Sequence, residues 1–203
     1  MNFDGIKIQF STGAVLFLAL LLYYMPLDYA AAYLLAIMFH ECGHLIMLRI
    51  FGLYPRMLLI QTGGFLIDYA GELSGINGIL CAVAGSFFGI LFSLLCSHVG
   101  NMFEWEFMYI CSGVSLLLSV FNILPAIPLD GAIVLKLLFQ IWIPVNLTEK
   151  IVVLSSCVVT AAFLFVGIFI WKQGYGIGLI IMAVLMLLHL LSQEGIVKKL
   201  NMR

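Results

Sequence analysis

His40, Glu41 and His44 stand inside the apolar run AYLLAIMFHECGHLIMLRIFG, residues 32–52. In a helix of 3.6 residues per turn, side chains four apart lie about 40° apart round the axis, so both imidazoles share one face with the carboxylate beside them. Two neutral imidazoles at that spacing can grip one divalent cation, and a carboxylate held off the metal can take a proton from bound water. H-E-x-x-H on a helix is thus suited to zinc-assisted hydrolysis of a peptide bond. With four histidines and six glutamates in 203 residues, chance places such a pentad in on the order of a few chains per thousand. An ionisable group at the centre of a spanning helix costs about 2.5–3.5 kcal/mol on insertion scales, so three together call for a compensating partner such as a metal ion.

A catalytic zinc usually has three protein ligands and an open fourth position, so a third His, Asp or Glu is required. His98 and His189 sit near helix ends without an acidic or cysteine neighbour in sequence and read as structural or interfacial. Asp4, Asp28, Asp68, Glu72, Glu104, Glu106, Glu149 and Glu194 fall at span ends or in loops, where solvation or helix capping accounts for them. Asp130 differs. It follows Pro125 and Pro128 in FNILPAIPLDG, residues 121–131, and proline-interrupted backbone is tolerable at membrane depth only where protein or a water-filled cavity surrounds it. An aspartate there is expected to point inward and complete the ligand set. Cys42 lies between the histidines in sequence but points off their face and reads as packing. Asn122, Gln61 and Ser119 are candidates to orient the imidazoles by hydrogen bonds, with Gln61 and Ser119 equally readable as hairpin or helix-packing groups.

These residues need a membrane scaffold. The chain is 64% hydrophobic and 9% charged, against roughly 25% charged for an ordinary soluble domain. Its net charge of -1 and its lack of a clustered basic face exclude a nucleic-acid partner. The five cysteines all fall in apolar segments without regular spacing and read as small buried hydrophobes rather than a disulfide framework.

The hydropathy pattern predicts an all-α polytopic membrane protein, one domain over 1–203, with six spans near 10–25, 29–50, 77–98, 107–124, 150–171 and 176–192. The first run has no small-residue cleavage site and reads as a retained helix. GAIVLKLLFQIWIP, between the fourth and fifth spans, is too short to cross comfortably and reads as a helix partly in or along the membrane. Placing both termini in the cytoplasm puts Lys7, Arg49, Arg56, Lys136, Lys150, Lys198, Lys199 and Arg203 on that side and only Lys172 outside, as the positive-inside rule requires. The pentad and Asp130 then meet at one level in the cytoplasmic half, with the site opening to the cytoplasm. After the pentad helix, MLLIQ and FLIDYA flank Thr62, Gly63 and Gly64. This suits a membrane-associated β-hairpin over 56–70, either a tucked loop or an edge strand for an extended peptide.

HECGH in the second span and NILPAIPLDG at the end of the fourth, in that order and at that separation, resemble the site-2 proteases, the intramembrane zinc metalloprotease family. Within it the chain is most similar to the sporulation-factor-processing branch (stage IV sporulation protein FB type), in which a six-span core also carries a Gly-Gly hairpin, here QTGGFLIDYA. The likeness covers nearly the whole chain. It implies that His40, His44 and Asp130 bind one zinc ion and that Glu41 is the catalytic base. It also implies that Asn122, Pro128, Gly63 and Gly64 contact a membrane-associated protein substrate, whose cleavage in the bilayer releases a regulator such as a sporulation sigma factor precursor. Membrane regulatory or inhibitory proteins are implied partners; no CBS or PDZ module is present. Where many relatives read Ala-Gly-Pro, this chain has Ala84, Gly85 and Ser86, which implies a looser helix contact, and Ala132 replaces a glycine after Asp130. A catalytically silent membrane scaffold and a metal-ion transporter are the alternative readings.

Overall fold

In a computed structural model the chain is described at every residue except 1, 4–5, 11, 62–63, 70–72, 74, 175–177 and 201–203; side-chain surroundings are described for 15, 18–19, 21–54, 73, 75–174 and 178–191. The elements run β1 (Asn2–Phe3), β2 (Ile6–Phe10), α1 (Thr12–Tyr24), α2 (Leu27–Ile50), β3 (Pro55–Gln61), β4 (Gly64–Tyr69), α3 (Gly75–Phe103), α4 (Glu106–Ile123), α5 (Asp130–Gln140), α6 (Val145–Lys172) and α7 (Gly178–Leu200). Among the described residues, α2, α3, α4 and α6 are long and apolar enough to cross a membrane, while the apolar stretch Gly178–Leu191 of α7 is shorter. Helix α1 has 13 residues, which at 1.5 Å each is roughly 20 Å against about 30 Å of hydrocarbon.

Two compact units divide the chain, residues 1–121 and 122–203. In the first, four strands form one sheet in the order β1-β2-β3-β4. Strands β3 and β4 pair antiparallel, with Leu59 opposite Leu66, and β4 is an edge. Strand β2 pairs parallel with β3, Ile8 opposite Leu58. A parallel pair needs a long crossover, and here α1 and α2 supply it.

Helix α2 opens behind Pro26, with Asp28 in its first turn and Arg49 in its last, the charge order that a helix dipole favours. It ends where Gly52 takes φ 73°. The amide of Leu53 then donates to the Leu48 carbonyl at 2.9 Å and that of Gly52 to Arg49 at 3.0 Å. This pair of bonds satisfies the last carbonyls and turns the chain sharply out of the helix.

Helix α3 carries small or polar residues once per turn, at Gly78, Ala82, Gly85, Gly89, Ser93, Cys96 and Gly100, all buried. Lipid tails are as apolar as leucine, so helices associate here by close packing and hydrogen bonds rather than by the hydrophobic effect. A Cβ at Gly43 of α2 would stand 2.5 Å from the Ala84 carbonyl oxygen, and Phe39 stacks on Phe92 with centroids 3.9 Å apart. Against α4, the Ser115 hydroxyl donates to the Gly89 carbonyl at 2.8 Å and Ser93 to that of Ser112 at 2.8 Å. Cys96 and Cys111 share a buried cluster with Ala32, and all five cysteines are free.

In the second unit, α5 packs on α6 and α6 on α7. Lys136 and Glu149 form an exposed ion pair at 3.4 Å, of small energetic value in that setting. At Gly167 of α6 the absent side chain lets Ile180 of α7 approach closely.

Candidate active site

His40 and Glu41 are buried in α2, 5% and 7% exposed; His44, one turn on, is half-buried. The His44 Nδ1 lies 2.8 Å from the Cys81 carbonyl oxygen of α3. A carbonyl can only accept, so Nδ1 carries the proton and Nε2 keeps its lone pair. That nitrogen faces His40 Nε2 at 3.2 Å, with the two rings inclined at 76°. Two nitrogens each bound at 2.0–2.1 Å to a tetrahedral ion would be about 3.3 Å apart, so the pair already has the separation of zinc ligands.

Helix α3 supplies the floor of this site. A Cβ built at Gly85 would stand 2.7 Å from His40 Nε2 and closer still to His44 Nε2. Glycine at 85 therefore lets the α3 backbone come close to both ligand nitrogens, a contact that a methyl group would block. Ala84, Gly85 and Ser86 are all buried in this contact, Ser86 at 1% exposed. Its hydroxyl has no hydrogen-bond partner among the described residues.

In the second unit, α4 stops at Ile123 and the prolines at 125 and 128 break the helix before α5 begins at Asp130. The intervening backbone folds on itself through Ala126 to Leu124 and Leu129 to Ala126, both 2.8 Å, and includes a cis bond between Ile127 and Pro128. Asp130 occupies the first turn of α5 and is half-buried, a position where the helix dipole favours its charge. Gly131 packs against the Ile123 and Leu124 carbonyls with no room for a side chain. Ala132 is buried at 5% exposed.

Among the described residues, His40, His44 and Asp130 form one group that could hold a metal ion, each offering one ligand atom. Two imidazole nitrogens and a carboxylate oxygen suit zinc. Cys42 is exposed, His98 is exposed and His189 half-buried; none belongs to that group. Ser119 is fully buried, donates to the Ser115 carbonyl at 2.8 Å and sits against Gly89, which makes it a helix-packing group. Asn122 is half-buried at the end of α4, and Pro128 is exposed. Gly63 lies outside the described residues, as do the side-chain surroundings of Gln61; Gly64 opens β4.

Two groups at this site carry no side-chain signature, the Cys81 carbonyl and Gly85. The first is a backbone atom and leaves no mark in sequence. The second had a signal in the repeat of small residues along the third span, but that repeat does not say which glycine faces the histidines.

No protein-family model matches the chain, and no curated protein matches it. Among solved structures it is similar to the site-2 protease from Methanocaldococcus jannaschii, at 18% sequence identity and a TM-score of 0.74 over 95% of this chain and 92% of that one. The chain therefore shares the fold of that structure.

Proposed function

We propose that this chain is a zinc-dependent intramembrane endopeptidase that hydrolyses a peptide bond in or near the membrane segment of a protein substrate. The observation that carries the reading is the opposed Nε2 pair with a buried glutamate at the adjoining position, on a helix apolar enough to cross a bilayer. The site-2 protease fold and the His40, His44 and Asp130 group support it.

Zinc, when bound, lowers the pKa of a coordinated water to about 7 and polarises a carbonyl. His40 and His44 offer their Nε2 atoms and Asp130 one carboxylate oxygen. The single charge of Asp130 against two neutral imidazoles leaves the centre net positive, which favours a developing oxyanion. Glu41 takes the proton of the attacking water and delivers it to the leaving amine. The Cys81 carbonyl holds His44 in the tautomer this requires.

The fuller arrangement has six spans, with both termini and the site opening in the cytoplasm. Asn122 and Pro128 line the substrate path. A helical substrate hides its carbonyls in intrahelical bonds and must unwind first. The edge strand β4 would hold the unwound segment by strand pairing, with Gly63 and Gly64 as substrate contacts, and repay part of that cost. A membrane-tethered regulator, of the kind a sporulation sigma factor precursor represents, suits such a cut.

Co-expression with candidate membrane-tethered precursors, followed by the same reaction on purified components in detergent, tests the reading. Phenanthroline should stop cleavage and added zinc restore it; cleavage that persists in metal-free protein contradicts the proposal. Proline at alternate positions of β4 should slow cleavage without changing zinc content, and unchanged rates would remove the strand-pairing step.

A further inference from the structure

Asp130 follows a non-helical segment with two prolines, so its position depends on whatever fixes that backbone. Pro125 and Pro128 have no N–H to give, and the segment's own turns use only the amides of Ala126 and Leu129. The amide of Ile127 and the carbonyl of Pro125 need partners from elsewhere, because a backbone group left unpaired at membrane depth is costly. Helix α6 provides both. The Ile127 amide donates to the Ser156 hydroxyl at 2.9 Å, and Ser156 passes its own proton to the Val152 carbonyl at 2.7 Å. The Ser155 hydroxyl donates to the Pro125 carbonyl at 2.7 Å and also lies 2.9 Å from that of Val152. Ser156 is 0% exposed.

We infer that Ser155 and Ser156 are positioning residues for the metal: two adjacent hydroxyls on α6 clamp the broken segment at Pro125 and Ile127 and so set the place of the Asp130 carboxylate, three residues on. Neighbouring serines in a helix point about 100° apart, so one reaches the carbonyl and the other the amide without competing. Serine suits the task because it donates to a carbonyl of its own helix while accepting from outside, as Ser156 does. Metal sites tolerate errors of only about 0.5 Å in ligand placement, so loosening this clamp should be felt at the ion before it is felt in the fold.

The inference rests on the proposed zinc site, and cobalt substitution tests it without relying on cleavage. Full-length protein in detergent is loaded with Co²⁺, its visible absorption recorded, and zinc affinity measured by competition with a chelator. Ser156→Ala and Ser155→Ala should each shift the cobalt bands and weaken zinc binding by about tenfold, the lower end of what losing a ligand's supporting partner costs. Ser155→Thr, which keeps the hydroxyl at a half-buried position, should restore both. Ser93→Ala is the control for a general structural loss, since it removes a buried interhelical hydrogen bond between α3 and α4, and should leave the cobalt spectrum alone. Spectra and affinities of the Ser155 and Ser156 variants equal to wild type, or a shift of the same size in Ser93→Ala, overturn the clamp while leaving the zinc reading intact. Wild-type protein that takes up no cobalt or zinc overturns both. If either serine variant does not accumulate, the other carries the same test.

Discussion

Glu41→Gln is expected to lower turnover by about 10²–10⁴-fold, the range lost when a positioned acid–base group is removed, while the protein keeps one zinc per chain. The amide has nearly the shape of the carboxylate, so the buried position in α2 stays filled, but it cannot accept the proton of the attacking water. Metal content and turnover must therefore part company. Metal analysis beside a single-turnover cleavage assay reads both on one preparation. Loss of zinc together with activity would make Glu41 a ligand instead of a base. Retained cleavage would remove the proton-transfer role of Glu41, whereas wild-type protein that holds zinc and cleaves nothing would favour a metal-holding scaffold or a transporter.

Gly85→Ala should do the reverse and remove the metal. The added methyl would stand against both ligand nitrogens, 2.7 Å from His40 Nε2, and would force the imidazoles out of their paired geometry. The neighbours cannot easily yield, since His44 is tied to the Cys81 carbonyl and Gly43 already touches the backbone at Ala84. Zinc affinity is expected to fall by at least about 100-fold, the upper end of losses from disturbed ligand support, and the Nε2 pair would have to separate. Zinc titration of the purified variant, with thermal unfolding to confirm a folded helix bundle, checks this. Zinc bound as tightly as in wild type would mean the ion does not sit between these helices.

The pentad was legible in the sequence because a spanning helix tolerates ionisable side chains only with a reason, and His40, Glu41 and His44 supplied three at helical spacing. Asp130 was legible for a related reason, since two prolines before it forbid a plain helix. The structure agrees in stopping α4 at Ile123 and starting α5 at Asp130. What supports these residues was not legible. The Cys81 carbonyl, the close approach at Gly85 and the Ser155 and Ser156 hydroxyls depend on which helix faces which, and side-chain type does not encode that. In the N-terminal stretch, IKIQF alternates apolar and polar residues as a strand does, yet five residues beside a long apolar run are easily absorbed into it. Its parallel partner lies some fifty residues on, at Met57–Ile60, beyond the reach of local pattern. Helix α3 runs 29 residues against the 22 expected, because the polar end SHVGNMF continues the helix past the length hydrocarbon requires.

X-ray absorption at the zinc edge of the purified wild-type protein reads the coordination shell directly. The expected spectrum has one zinc per chain with only nitrogen and oxygen neighbours at about 2.0–2.1 Å, two of them showing the outer-shell scattering of imidazole. One imidazole should be lost in His40→Ala and in His44→Ala, and neither in Asp130→Ala. A protein without zinc, a sulfur neighbour at about 2.3 Å, or a shell unchanged by the histidine substitutions would contradict a metal held by this pair.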